Sequence, residues 1–102
     1  MTDKKQYLRK YLLQQKKIER LKEMIILNPR GRSRYLKQIA KCEQVCEGIE
    51  EKINNIDDDI LREILFLKYI CGKGLKEISE QISYSPWHTQ RMHITAIEKI
   101  EI

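Results

Sequence analysis

His88 and His93, with Cys42, Cys46 and Cys71, are the side chains whose types suit proton transfer, nucleophilic attack or metal binding. Their spacing does not assemble such chemistry. The histidines lie at positions 88 and 93, whereas paired ligands on one helix face sit at i and i+4. The cysteines are odd in number and form no CxxC pair, so neither a zinc site nor a disulfide framework is indicated. Asp57, Asp58 and Asp59 are consecutive. Consecutive helical residues point apart, so the triplet suits the positive end of a helix dipole better than a cation cage. Neither histidine has an evident orienting partner, and no phosphate loop or nucleophile motif occurs. No catalytic activity, cofactor or metal is expected, and His88 reads as a partly exposed polar residue.

Binding chemistry is better represented. The stretch ISYSPWHTQRMHITAIEKI, residues 82–100, opens with Ser85 as a helix N-cap and Pro86 in the first turn, where the missing donor costs nothing. At 100° per residue, Thr89, Met92, Ala96 and Ile100 fall on one side. Trp87, Arg91, Ile94 and Glu98 fall on the other, flanked by Gln90 and Thr95. If DNA is the partner, Arg91 suits guanine O6 and N7, Gln90 suits adenine N6 and N7, and Ile94 suits a thymine methyl. Trp87 would pack on sugar or backbone, and Ser85 with the first helical amides would take a phosphate. An outward Trp, Ile and Arg on one helix is equally the composition of a protein-binding hot spot.

Charge is distributed unevenly. Residues 1–56 hold 14 Lys/Arg against 7 Asp/Glu, a net +7, while residues 57–102 hold 6 against 8, a net −2. Within the basic part, NPRGRSRYLK sets Arg30, Arg32, Arg34 and Lys37 around a turn. This is either a phosphate-contacting patch or a solvated loop. In the acidic part, Lys73, Lys76, Arg91 and Lys99 are the cations available to a nucleic acid beside the last helix.

The elements that carry these residues read as helices throughout. Hydrophobic residues make up 41% and charged residues 34%, with four Gly and two Pro, which describes a charged, mostly helical chain. At 102 residues it has room for one compact domain, or a small domain with a helical extension, and little room for a deep cleft. No run approaches the ~20 apolar residues that span a bilayer, and MTDKKQYLRK lacks a signal-peptide core, so a cytoplasmic protein is expected.

From Lys4 to Leu27 neither Gly nor Pro occurs, and Tyr7, Tyr11, Ile18, Leu21 and Ile25 recur on one face, widened by Leu8 and Leu12 and interrupted by Gln14. Asn28, Pro29 and Gly31 then break the helix, with Gly31 free to adopt a left-handed conformation. In the second helix Tyr35, Ile39, Cys42, Cys46, Ile49, Ile53 and Ile56 alternate spacings of four and three, a coiled-coil seam with Ser33 as its N-cap. The two cysteines on this seam read as buried apolar residues. The seam's partner is either the first helix folded back or a second copy of the chain.

After Asn54 and Asn55, IDDDILREILFLKYICG starts on aspartates and stops at Gly72. Its apolar residues, Ile60, Leu61, Ile64, Leu65, Phe66, Leu67, Tyr69 and Ile70, cover most of the circumference, so burial on most sides is expected. LKEISEQI follows, with Leu75, Ile78 and Ile82 inward, then the turn SYSP and the last helix. The expected architecture is all-α: a long antiparallel hairpin, coiled-coil-like and basic, over residues 1–55, and a three-helix helix-turn-helix unit over residues 56–102.

LREILFLKYICGKGLKEISEQISYSPWHTQRMHITAIEKI resembles region four of sigma-70-type transcription factors, with Leu65, Tyr69, Leu75, Glu77, Ile78, Ile82, Ser85, Met92, Ala96 and Ile100 in register. Ser79 stands where that pattern usually has Ala or Gly. Pro86 and Trp87 stand where its early recognition positions are usually charged or polar. A long helical segment ahead of such a region is similar to small phage transcriptional regulators of the ArpU-like and RinA-like kind. The resemblance implies a phage or prophage DNA-binding regulator in the host cytosol, with the last helix in the major groove of double-stranded DNA. By family position Gln90 and Arg91 are the base readers, with Trp87 and Ile94 beside them. Backbone contacts would then fall to Ser85, Lys73, Lys76, Arg30, Arg32 and Arg34. The resemblance admits RNA polymerase as a further partner, and the heptad helix admits homodimerisation. The competing expectation is an interaction module or inhibitor that binds RNA polymerase or another host protein through the same surface without reading DNA.

Overall fold

A computed structural model describes residues 2–102, and among these the chain is all-helical, with no strand. Helix α1 spans Thr2–Leu27 and α2 spans Arg32–Asn54, joined by a 3-10 turn at Pro29–Gly31. Helix α3 covers Asp59–Leu65 and runs on through a π-helical turn at Phe66–Ile70, followed by α4 at Leu75–Ile82 and α5 at Pro86–Glu98.

The hairpin follows from its stripes. Helix α1 ends where the Asn28 amide still donates to the Met24 carbonyl at 2.7 Å and Pro29 can donate nothing. Helix α2 begins at Arg32 with Gly31 as its N-cap, two residues before the expected cap Ser33, and no side chain caps it. Gly31 has φ −89°, so a left-handed backbone is not what places glycine there. A Cβ at that position would lie 2.7 Å from Cε2 of Tyr35, so glycine lets the ring close over the turn. Arg34 lies 5.1 Å over the Tyr35 ring. Its guanidinium and the Asn28 amide both donate to the Tyr35 hydroxyl, at 3.4 Å each.

All seven stripe residues from Tyr35 to Ile56 are buried, but they serve two cores. Tyr35, Ile39 and Cys42 pack with Ile18 and Leu21 of α1. Cys46, Ile49 and Ile53 pack with Leu8 and Tyr11 of α1 and also with Leu61, Leu65, Tyr69, Ala96, Ile97 and Ile100. The stripe is therefore filled within one chain, which takes its buried face away from a second copy. Gln15 lies between the two cores and donates to Cys46 Sγ at 3.3 Å. Leu12, expected to widen the α1 stripe, is exposed instead, because Leu8 and Tyr11 already fill the side facing the other helices.

The turn into α3 uses the aspartates singly. Asp58 accepts from the Leu61 amide at 3.0 Å as the N-cap, and Asp59 pairs with Arg62 one turn on. Arg62 also donates to the Ile56 carbonyl at 2.7 Å, tying the end of the hairpin to α3. Leu61, Leu65 and Tyr69 recur at i+4 and face the hairpin core, while Ile64 and Leu67 face Ile78 of α4. Phe66 is the exception to the expected all-round burial: it is exposed, on the side that Glu63 and Arg62 share three and four residues earlier. At the π turn the Cys71 amide reaches the Phe66 carbonyl at 3.1 Å, and Gly72 then takes φ +76°, which a side chain at Cβ disfavours.

Leu75, Ile78 and Ile82 of α4 pack on Ile64, Leu67 and Met92. Helix α4 stops at Ser83, the sole non-glycine with positive φ among the described residues (φ 63°), and the Tyr84 amide closes back on the Ser79 carbonyl at 3.1 Å. Ser85 then caps α5, accepting from the His88 amide at 3.1 Å, with Pro86 in the first turn. No helix among the described residues is long and apolar enough to cross a membrane.

Candidate functional site

Helix α5 is held by one side only. Thr89, His93, Ala96, Ile97 and, just beyond the helix, Ile100 are buried, and Met92 is partly so. Thr89 is anchored twice, by its packing and by a 2.9 Å hydrogen bond from its hydroxyl to the Ser85 carbonyl. The opposite side carries Trp87, Gln90, Arg91, Ile94 and Glu98, all exposed. Trp87 is 69% exposed and Ile94 46%, a large apolar outlay for a short helix. The Arg91 guanidinium sits over the Trp87 indole, 4.9 Å from the ring centroid. That contact restrains both side chains without satisfying any guanidinium donor, which leaves Arg91 free to bond a planar acceptor pair.

Beside this face runs an open groove of about 390 Å³, lined by Leu61, Trp87, His88, Arg91, Met92 and Thr95. His88 is exposed and meets Tyr84 edge-on, with ring centroids 5.1 Å apart. The groove therefore has an apolar floor, an aromatic and cationic rim, and no carboxylate.

The proposed backbone-contacting residues do not converge. Ser85 lies at the start of α5 with its oxygen engaged by the His88 amide. Lys73 donates to Glu77 at 3.2 Å, and Lys76 is exposed on α4. Arg30 and Arg32 are exposed and Arg34 is engaged with Tyr35, all at the far end of the hairpin. From Tyr11, which touches the C-terminal helices, to Leu27 is about 24 Å at 1.5 Å per residue. In a molecule 51 Å long, the tip arginines and the α5 face are separate surfaces.

One polar pair inside the fold had no signal in the spacing. The Tyr69 hydroxyl and His93 Nε2 lie 2.9 Å apart and both side chains are buried, so His93 does have an orienting partner. Its Nδ1 is buried without a hydrogen-bond partner. Burial, reinforced by Lys68, Lys5 and Arg9, lowers the His93 pKa from 6.5 to about 4, keeping the imidazole neutral. Burial likewise raises the Tyr69 phenol. Cys42 and Cys46 are buried and Cys71 is exposed, all as free thiols. Among the described residues no three His, Cys, Asp or Glu side chains group as metal ligands.

Comparison with protein-family models, with curated proteins and with solved structures gives no match.

Proposed function

We propose that this protein binds double-stranded DNA through α5, with α4, the turn at Ser83 and α5 acting as a helix-turn-helix, and that it regulates transcription in the manner of the small phage proteins it resembles. The observation that carries this reading is the two-sidedness of α5. Its inner face is fixed by Thr89, His93 and Ala96, while Gln90, Arg91 and Ile94 stand in solvent as a ready set of donors, acceptors and an apolar contact. Helix α5, at 13 residues or about 20 Å, is long enough to lie along a major groove.

A specific observation favours a second reading. An exposed Trp87 under Arg91, next to the groove floored by Leu61 and Met92, has the make-up of an anchor for another protein, RNA polymerase among the candidates. The two readings separate by salt. Fluorescence anisotropy on genomic fragments should find one bound preferentially, with affinity falling steeply as salt rises. Arg91→Ala should lose roughly 1 to 3 kcal/mol on that fragment and far less on random sequence. Arg30→Gln with Arg32→Gln should weaken all sequences about equally if the tip touches phosphates. Equal loss for Arg91→Ala on both DNAs would remove it as a reader, and salt-insensitive capture of polymerase with no fragment preferred would favour the protein contact.

A further inference from the structure

Where α1 passes the π turn and the loop before α4, the surface holds an open pocket of about 320 Å³ lined by Arg9, Lys68, Tyr69, Lys73 and the glycines at 72 and 74, with Leu12 as its one aliphatic side chain. Two segments distant in sequence bring three cations to it: Arg9 from α1, and Lys68 and Lys73 from the π turn and the loop that follows it. Arg9 and Lys68 belong to neither of the two ion pairs among the described residues, Arg62–Asp59 and Lys73–Glu77. Lys68 is steered by the ring of Tyr69, with Nζ 5.7 Å from its centroid. Lys73 holds Glu77 at 3.2 Å, and that carboxylate side chain is itself 56% exposed, so the pair is open to competition from solvent. At Gly74 a side chain would meet nothing within 4 Å, so the backbone leaves the entrance clear.

The cations act on the buried pair behind them. Arg9, Lys68 and the nearby Lys5 oppose protonation of His93, and Arg9 favours ionisation of Tyr69. Like charges gathered at one pocket repel one another, at a cost that grows as the site is shielded from water. Nothing in the packing requires that arrangement: Arg9 is exposed and Lys68 only partly buried. A multiply charged anion in the pocket would relieve the repulsion and meet a guanidinium fork together with two ammonium groups.

We infer that Arg9, Lys68 and Lys73 form a binding site for a phosphate group. Taking that phosphate to be one on a DNA strand rests on the DNA-binding reading above; the alternative source is a free phosphate-bearing ligand. On a strand, the site would make the first helix of the hairpin, rather than its arginine-rich tip, the part that adds backbone contacts to α5.

The test uses the full chain and pyrophosphate as probe, followed by amide NMR at constant ionic strength. Saturable shifts at Gly72 and Gly74 are expected. In the double variant Arg9→Gln with Lys68→Gln, affinity should fall roughly ten- to a hundredfold, as expected for losing two charged contacts. Thermal melting checks that this variant stays folded. No saturable shift, or the same affinity in the folded variant, would overturn the site. Duplex binding by the same variant then identifies the source. A uniform loss on all sequences, with the salt slope reduced by about one, assigns the site to a strand phosphate. Unchanged duplex binding beside lost pyrophosphate binding assigns it to a free ligand. Absence of duplex binding by the unaltered protein would defeat the DNA reading, and the pyrophosphate result would still decide the site.

Discussion

The two ends of the hairpin are made from the same heptad stripe and do different work. At the distal end Tyr35, Ile39 and Cys42 meet only Ile18, Leu21 and their neighbours on α1, and the tip leaves Ile26 and Leu27 exposed. At the proximal end Cys46, Ile49 and Ile53 lie under α1, α3 and α5 together, and Leu8, Ile49, Ile53 and Leu65 are fully enclosed. A two-helix seam buries each side chain on one side, whereas a junction of several helices buries it on all sides. The difference teaches that a uniform pattern does not imply uniform stability. The end that looks unremarkable in the stripe is the foundation on which the α5 face is built.

The sharpest way to break this comparison is to truncate matched residues at the two ends. Ile53→Ala should cost toward the upper part of the ~2–5 kcal/mol range for buried Ile→Ala changes, and Ile39→Ala toward the lower part. Urea unfolding of the two variants checks this. Equal costs would mean that the seam alone determines burial energy and that the C-terminal helices add nothing to Ile53.

A second test sharpens what lies inside the junction. The His93 pKa is lowered on folding, to about 4 from 6.5, so below pH 6.5 the unfolded chain takes up a proton that the folded chain refuses. Stability supplied by the neutral imidazole is fully present above pH 6.5, declines as pH falls toward about 4, and levels off below it. His93→Gln, which can still meet the Tyr69 hydroxyl, should flatten that part of the melting-temperature profile against pH. An unchanged profile would mean that the imidazole takes up its proton equally in the folded and unfolded chains.

The smallest expected effect concerns the entry to α5. Ser85→Ala removes the acceptor for the His88 amide and should cost about 1 kcal/mol, measured by thermal unfolding. The loss should leave the distal hairpin unaffected in hydrogen exchange, since the two ends share no core. Faster exchange at the tip would show that the ends unfold as one.

Much of this was legible because it is periodic or local. The α2 stripe, the breaks at Pro29 and Gly72, the aspartate start of α3, and the serine and proline opening α5 each depend on a few neighbouring residues. So does the outward set Trp87, Gln90, Arg91 and Ile94, which follows from 100° per residue alone. The misjudged positions are those where a helix wheel cannot say how many neighbours a face has. Phe66 looked like core and lies outside, and Leu12 looked like stripe and is exposed. His93, by contrast, is enclosed although its type suggests the surface. Ser33 was a sound cap by type, but the 3-10 turn starts α2 one residue before it.

The sequence by itself determined the helices, most of their ends, the stripe on α2 and the division between a basic front and an acidic back, because these follow from backbone chemistry and short-range periodicity. Only the tertiary structure decided that the stripe is shared between two cores, that Tyr69 and His93 meet, and that Arg9 comes to stand beside Lys68 and Lys73. Those pairings join residues many turns apart, and their partners are chosen by how whole helices pack rather than by anything a neighbouring residue encodes.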